Sequence, residues 1–183
     1  MISFEQFKAL AEKGNIIPVY KELIVDIDTP VSIFSVFAQK PNSFLLESVE
    51  TNKNFGRYSI IGIEPFKILQ YSSNEFKVIE NDVKTIINQN PLDYLNEDLQ
   101  KFKNVKDNNL PFLNCAIIGY FGFEVFAFIE NFKFTNPDTL NIPDLYLAYC
   151  NKTLIFDHFK NKLFIVVNCV LDNKTDLFEQ YKI

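Results

Sequence analysis

Between Ser43 and Ile87 the hydrophobic period changes from helical to strand-like, and the connections there are too short to let the chain cross over. Apolar, β-branched and aromatic residues gather in runs at 44–49, 58–63, 66–71, 75–79 and 83–87. Between the runs lie residues 52–56, Glu64-Pro65, Ser72-Ser73-Asn74 and Asn81-Asp82, the residue types that build tight turns. A parallel pair needs a crossover of about a dozen residues or more, so these strands must pair antiparallel, as a meander.

Helical signals flank this block. Ser3 and Gln6 form a capping-box signature, with Phe4, Phe7, Leu10 and Ala11 at helical spacing and Gly14 placed to end the helix. Residues 16–25 read as an edge strand or extended arm, because Pro18 has no N–H to donate to a ladder. Asp28 or Thr29 can cap a second helix with Pro30 at its first position and Val31, Phe34, Phe37 and Ala38 as its buried stripe. Asn90-Pro91 opens a third helix with Leu92, Tyr94, Leu95 and Leu99 as apolar positions, and the polar stretch 101–109 reads as an exposed loop.

Later come a buried strand (115–120), a helix (123–132), a Pro-containing loop (134–143), and strands at 145–150, 153–156 and 163–171. A last helix starts at Asp176 and runs about two turns, too short to hold without packing or further chain. The sequence therefore reads as a piece of a longer protein. The fold class expected is α+β, antiparallel β-sheets covered by helices, in one domain or two small lobes sharing a core.

Composition excludes several functions. The 183 residues carry a net charge of -5 with no Lys/Arg stripe, which leaves no footprint for nucleic acid. No apolar run approaches the ~20 residues of a membrane span, and the N-terminus lacks a signal-peptide pattern; a cytoplasmic protein is expected. Cys115, Cys150 and Cys169 are odd in number and sit in apolar contexts, as core thiols do.

Catalytic chemistry is sparse. His158 is the sole imidazole, and the simplest reading has Asp157 and His158 ending a strand and satisfying each other or the backbone. No Cys sits in a nucleophile elbow. The Gly119-Tyr120-Phe121-Gly122 run lacks the further Gly and Lys-Ser/Thr of a phosphate loop, so its glycines serve tight packing or a sharp turn. Scattered acidic pairs such as Asp26/Asp28 and Glu47/Glu50 support no metal site. One segment resists a pure core reading. In a strand Leu45 and Glu47 share one face and Leu46 and Ser48 the other, which sets an acid inside an apolar stretch. Either Arg57 pairs with that carboxylate across a hairpin, or Glu47 receives the ammonium of a small ligand whose apolar part the leucines hold.

The run Leu45-Leu46-Glu47-Ser48-Val49-Glu50, with Gly56-Arg57-Tyr58-Ser59-Ile60-Ile61-Gly62 after it, resembles the N-terminal region of anthranilate synthase component I. Ile17-Pro18-Val19-Tyr20 ahead of Asp28-Thr29-Pro30-Val31-Ser32, then Gly119-Tyr120-Phe121-Gly122-Phe123-Glu124, Ile142-Pro143-Asp144-Leu145 and Phe156-Asp157-His158, continue the similarity in order. One departure is Ala127, where relatives often carry Arg.

The resemblance implies that residues 1–183 are an N-terminal regulatory domain and that the chorismate-binding catalytic domain is absent. Leu46, Glu47 and Ser48 would then belong to the feedback site for L-tryptophan. Glu47 would meet the amino group, Ser48 would complete the polar contacts, Leu46 would pack on the indole, and Arg57 or Tyr58 would receive the carboxylate. It implies no catalytic residue, metal or cofactor in this chain, with Mg2+ held by the missing domain. The partners implied are that domain and a glutamine amidotransferase subunit supplying ammonia. Two alternatives stand beside it: a freestanding module sensing aromatic amino acids, and the corresponding domain of aminodeoxychorismate synthase component I.

Overall fold

The computed structural model describes residues 2–37, 39–47, 56–110, 116–130, 132, 138–172 and 176–182. They fall into two compact units, one of Met1–Pro65, Phe102–Ala116 and Cys150–Ile183, the other of Phe66–Lys101 and Ile117–Tyr149. Each is built on a five-stranded sheet, so the fold is α+β with antiparallel pairing, as the short connections require.

The first sheet has the order β1-β10-β9-β3-β2, with β1 at Ile16–Ile24, β2 at Phe44–Glu47, β3 at Tyr58–Ile63, β9 at Lys152–Asp157 and β10 at Lys162–Val170. Strand β1 lies at one edge, where Pro18, opposite Asn168, costs no ladder bond on the outer side. Both faces of the sheet are packed. On one, Ile60, Ile155, Phe164 and Val166 join Leu110. On the other, Ile61, Leu154, Phe156 and Leu163 are covered by α2 (Pro30–Phe37) through Ile33, Phe34 and Phe37.

Helix α2 is capped reciprocally. The Ser32 amide donates to Thr29 Oγ1 at 3.1 Å, and the Thr29 amide to Ser32 Oγ at 2.9 Å. Its buried stripe differs from the one the sequence suggests, since Val31 is exposed and Ile33 takes the inner position. Two stripes satisfy the helical period here. Burial of Pro30 selects the one through residues 33, 34 and 37.

Helix α1 (Phe4–Ala11) keeps its expected capping box, with Ser3 Oγ accepting from Gln6 and Gln6 Oε1 from the Ser3 amide. The short α4 (Leu177–Tyr181) is held by packing: Phe4 meets Phe178 edge-on at 5.0 Å, and the Tyr181 hydroxyl donates to the Ile2 carbonyl at 3.0 Å. The polar stretch after residue 101 is more ordered than an exposed loop. The amides of Asn15 and Ile16 donate to the Lys103 carbonyl, Val105 donates to the Ile16 carbonyl, and the Val105 side chain is buried with Phe7, Ile17 and Cys169. One apolar residue in a polar run supplies the anchor. Cys150 and Cys169 are buried, and Cys115 lies outside the described residues.

The expected meander is divided between sheets. The β2-β3 hairpin belongs to the first, whereas β4 (Lys67–Ser72), β5 (Glu75–Glu80) and β6 (Val83–Ile86) form the second with β8 (Leu145–Cys150) and β7 (Ala116–Phe121), in the order β6-β5-β4-β8-β7. The break falls at Glu64, whose φ of 48° is left-handed, and at Pro65, which has no amide to donate. Strand β7 is an edge strand with Tyr120 and Phe121 exposed, against the expectation of a buried strand: a continuous apolar run does not say which side is covered. Gly119 within it has the predicted packing role, since a Cβ there would lie 1.8 Å from the Tyr146 carbonyl oxygen. The chain then enters a 3-10 helix at Phe123–Phe128, shorter than predicted, because the aromatic and β-branched residues in it are poor helix formers and Gly122 offers no side-chain cap.

Helix α3 (Pro91–Gln100) starts where Asn90 Oδ1 accepts from the Leu92 amide. Its inner position is Asp98 rather than Leu99, which is exposed. Lys67 Nζ reaches both Asp98 oxygens, at 2.6 and 2.7 Å, and lies 5.3 Å from the Tyr94 ring centre and 5.5 Å from that of Tyr149. The pair is 5% and 1% exposed. Burial, then the Asp98 carboxylate, push the Tyr149 phenol well above its usual range. Breaking one half strands a buried charge, so Asp98→Ala is expected to cost roughly 3–5 kcal/mol in urea unfolding, while the apolar double change Lys67→Met/Asp98→Leu recovers most of that. A single-variant loss under about 1 kcal/mol would contradict this role.

Candidate ligand site at the edge of the first sheet

The hairpin register places the candidate residues. Leu46 pairs with Ile60 and Glu47 with Ser59 across β2 and β3, while Tyr58 pairs with Asp157 and Ser59 with Phe156 across β3 and β9. By the pleat, Glu47, Ser59 and Phe156 line one face, and Leu46 and Tyr58 the other. Strand β2 is an edge, so both faces are within reach only around its open side. Ser48 lies outside the described residues.

Glu47 is not the buried carboxylate expected from its apolar neighbours. It is exposed, as is Leu46 at 46%. Nor does it pair with Arg57. That guanidinium grips Asp157, Nε to Oδ1 at 3.0 Å and Nη2 to Oδ2 at 2.6 Å, and lies 4.9 Å from the Tyr58 ring centre. Asp157 is 2% exposed and needs a counter-charge that solvated Glu47 does not, and its pairing with Tyr58 delivers it to Arg57. The backbone amides of Phe159 and Lys160 also donate to Asp157 Oδ1. Burial raises the Asp157 pKa, but the Arg57 and backbone hydrogen bonds outweigh it and hold the carboxyl below its ordinary value. With 42% of its side chain exposed, Arg57 keeps an open edge beyond the fork.

Asp157 and His158 end a strand and turn to the backbone, one of the two outcomes the sequence allowed, rather than to each other: Asp157 accepts from the amides of Phe159 and Lys160, and the His158 amide donates to the Arg57 carbonyl. His158 Nε2 lies 2.7 Å from Ser59 Oγ, and the ring stacks on Phe156 at 6.2 Å with a 16° interplanar angle. Ser59 Oγ is also 3.5 Å from Glu47 Oε1. The result is a polar line Glu47–Ser59–His158 on one face, ending at a cleft of about 280 Å³ lined by Thr29, Pro30, Phe156 and His158 among others. Exposed carboxylate, buried hydroxyl and imidazole together suit a small cationic group such as an amine. The meeting of Ser59 with His158 is not legible in the sequence, because it depends on the β3-β9 pairing, which joins residues about a hundred positions apart. Beneath the hairpin, Gly62 lets Phe44 lie across β3, since a Cβ would meet that ring at 2.2 Å.

Among the described residues no group of three or more His, Cys, Asp or Glu is placed to hold a metal, and no described helix is long and apolar enough to cross a membrane.

No family model matches the sequence. The chain is 34% identical over 167 residues to anthranilate synthase component 1 of Acetivibrio thermocellus, across 91% of this chain and 34% of that protein. The component 1 of Neisseria meningitidis serogroup B (strain MC58) is 34% identical over 176 residues, across 91% of this chain and 35% of that one. The Pseudomonas putida protein is 32% identical over 168 residues, with 89% and 34% covered. In fold the chain is similar to the crystal structure of anthranilate synthase component I from Streptococcus pneumoniae TIGR4, with a TM-score of 0.54 and 21% identity over 88% of this chain and 36% of that one.

Fold and sequence thus define an α+β segment of the kind found within a larger enzyme subunit. That subunit is anthranilate synthase component 1, to which the chain is homologous and of which it spans about a third of the length.

The Arg57–Asp157 fork is open to a direct test. Replacing Asp157 by Ala removes charge-assisted bonds that each contribute about 1.5–3 kcal/mol at most where both partners are buried, and with Arg57 half open to water a loss of about 2–4 kcal/mol in urea unfolding is expected. Because the folded carboxyl is held below 3.8, its contribution is complete above about pH 4 and disappears as pH falls through the folded value. Native and Asp157→Ala stabilities should converge in acid; a gap unchanged to pH 2.5 would contradict this.

Proposed function

We propose that this chain is the N-terminal regulatory part of an anthranilate synthase component I, and that the open edge of β2 and β3 contributes to its L-tryptophan feedback site. One observation carries the reading: over nine-tenths of a chain related to those enzymes, the residue at the sheet edge best placed to take an amino group, Glu47, is solvent-facing and lies beside Ser59. Its exposure leaves the carboxylate open for an ammonium, and Leu46 and Tyr58 give an apolar flank on the opposite face for the indole. Ser48 is proposed to complete the polar contacts, and the exposed side of Arg57 to meet the ligand carboxylate.

In the complete enzyme, chorismate and ammonia from glutamine would become anthranilate and pyruvate. That chemistry, with its Mg2+, is assigned to a chorismate-binding domain and a glutamine amidotransferase subunit, and no step of it to this chain. Feedback then requires tryptophan to bind one packing of the two domains more tightly than another, a coupling free energy set by that difference alone. On this reading the protein serves tryptophan biosynthesis and works in the cytoplasm.

Calorimetric titration of L-tryptophan into the 183-residue chain, beside Glu47→Ala, tests the reading. We expect saturable binding, weaker than in a complete subunit by about a hundredfold for each ~2.7 kcal/mol of contacts the other domain supplies, and at least about tenfold weaker again in Glu47→Ala. Binding that Glu47→Ala leaves unchanged would contradict the assignment.

A further inference from the structure

Ser59 has one proton to give and two acceptors within reach. His158 Nε2 stands at 2.7 Å and Glu47 Oε1 at 3.5 Å, and the serine is 2% exposed, so water does not readily replace either. An ionised carboxylate can only accept, whereas an imidazole nitrogen accepts when bare and donates when protonated. The shorter contact is the one with the ring.

We infer that His158 is a positioning residue for the amine-binding end of the site. With Nε2 bare, the imidazole draws the Ser59 proton to itself, and the exposed Glu47 carboxylate keeps both oxygens free of that hydroxyl and open to a primary ammonium. With His158 protonated, Nε2–H donates to Ser59 Oγ and the serine proton turns to Glu47. One acceptor is then occupied and a positive charge stands behind it. The consequence for L-tryptophan rests on the proposed feedback site; the His158–Ser59 arrangement itself does not.

The surroundings leave the ring free to act this way. Its backbone amide donates to the Arg57 carbonyl at 2.9 Å and its plane stacks on Phe156, so the imidazole is oriented, yet it remains exposed enough to exchange protons with solvent. The adjacent Asp157 carboxylate is committed to Arg57 and to the amides of Phe159 and Lys160. Asp26 and Asp28, between β1 and α2, and Lys162 at the start of β10 share the cleft with His158. Helix α2, packed on the same face, carries no charged residue. Glu47 is the acid that reaches the ring through a shared hydroxyl.

His158 is the single histidine of the chain, so its ring nitrogens give one set of signals. The experiment is an imidazole 15N spectrum of the full 183-residue chain across pH, which reads the protonation of the ring directly, for the native protein and Ser59→Ala, with L-tryptophan titrated at pH 8 and pH 5.5. We expect the neutral ring to carry its proton on Nδ1, a preference that Ser59→Ala weakens. Tryptophan affinity should fall about tenfold from pH 8 to pH 5.5 in the native chain and stay nearly flat in His158→Gln. A neutral ring protonated on Nε2, or a His158→Gln variant with the native pH dependence, overturns the proposal. If tryptophan binds at neither pH while the tautomer and Ser59→Ala results hold, the tryptophan reading fails and the His158–Ser59 positioning stands.

Discussion

Strand β3 is paired on both edges, and the candidate site exists only because of it. From β2 it receives Glu47 opposite Ser59, and from β9 it receives Asp157 opposite Tyr58 and Phe156 opposite Ser59. A one-residue slip of either neighbour would turn Ser59 away from Glu47 or carry Asp157 away from Arg57. The two-point grip of Arg57 on a nearly buried Asp157 holds that register chemically, because this alignment sets the carboxylate against its counter-charge. The contact of Phe44 with Gly62 fixes it sterically on the other side. Structure and chemistry are therefore set by the same pairings.

Much of the fold could be read locally. The capping box at Ser3, the Pro30 and Asn90-Pro91 helix starts and the short turns in residues 43–87 are decided by neighbours in sequence, and the elements they define are present. The features that escaped depend on distant partners. Nothing near Asp98 says that an aspartate on a polar helix turns inward, since its partner Lys67 is 31 residues away in another strand. The division of the meander likewise comes from which distant strand, β9 or β8, each edge meets.

The site was legible in part. Leu46 and Glu47 stand out because an acid in an apolar strand asks for a reason, and of the two the sequence offers the structure removes one, burial against Arg57: Glu47 is exposed and Arg57 belongs to Asp157. Ser59 carries no signal of its own within the run 58–63, and His158 reads only as the end of another strand. Only the sheet brings them together. On the proposed reading this division has a use, since an open sheet edge holds part of a ligand and leaves the rest to whatever packs beside it, and such a shared site couples binding to domain arrangement.

Whether the β2-β3-β9 edge receives the amino acid is decided most directly by a backbone amide shift map of the 15N-labelled chain during L-tryptophan titration. Binding at this edge gives saturable changes concentrated at residues 44–47, 57–60 and 156–159, and that is the expected result. Changes centred instead on the apolar groove of about 370 Å³ lined by Phe7, Val19, Ile165, Val167 and Tyr181, or on the second sheet, would contradict it.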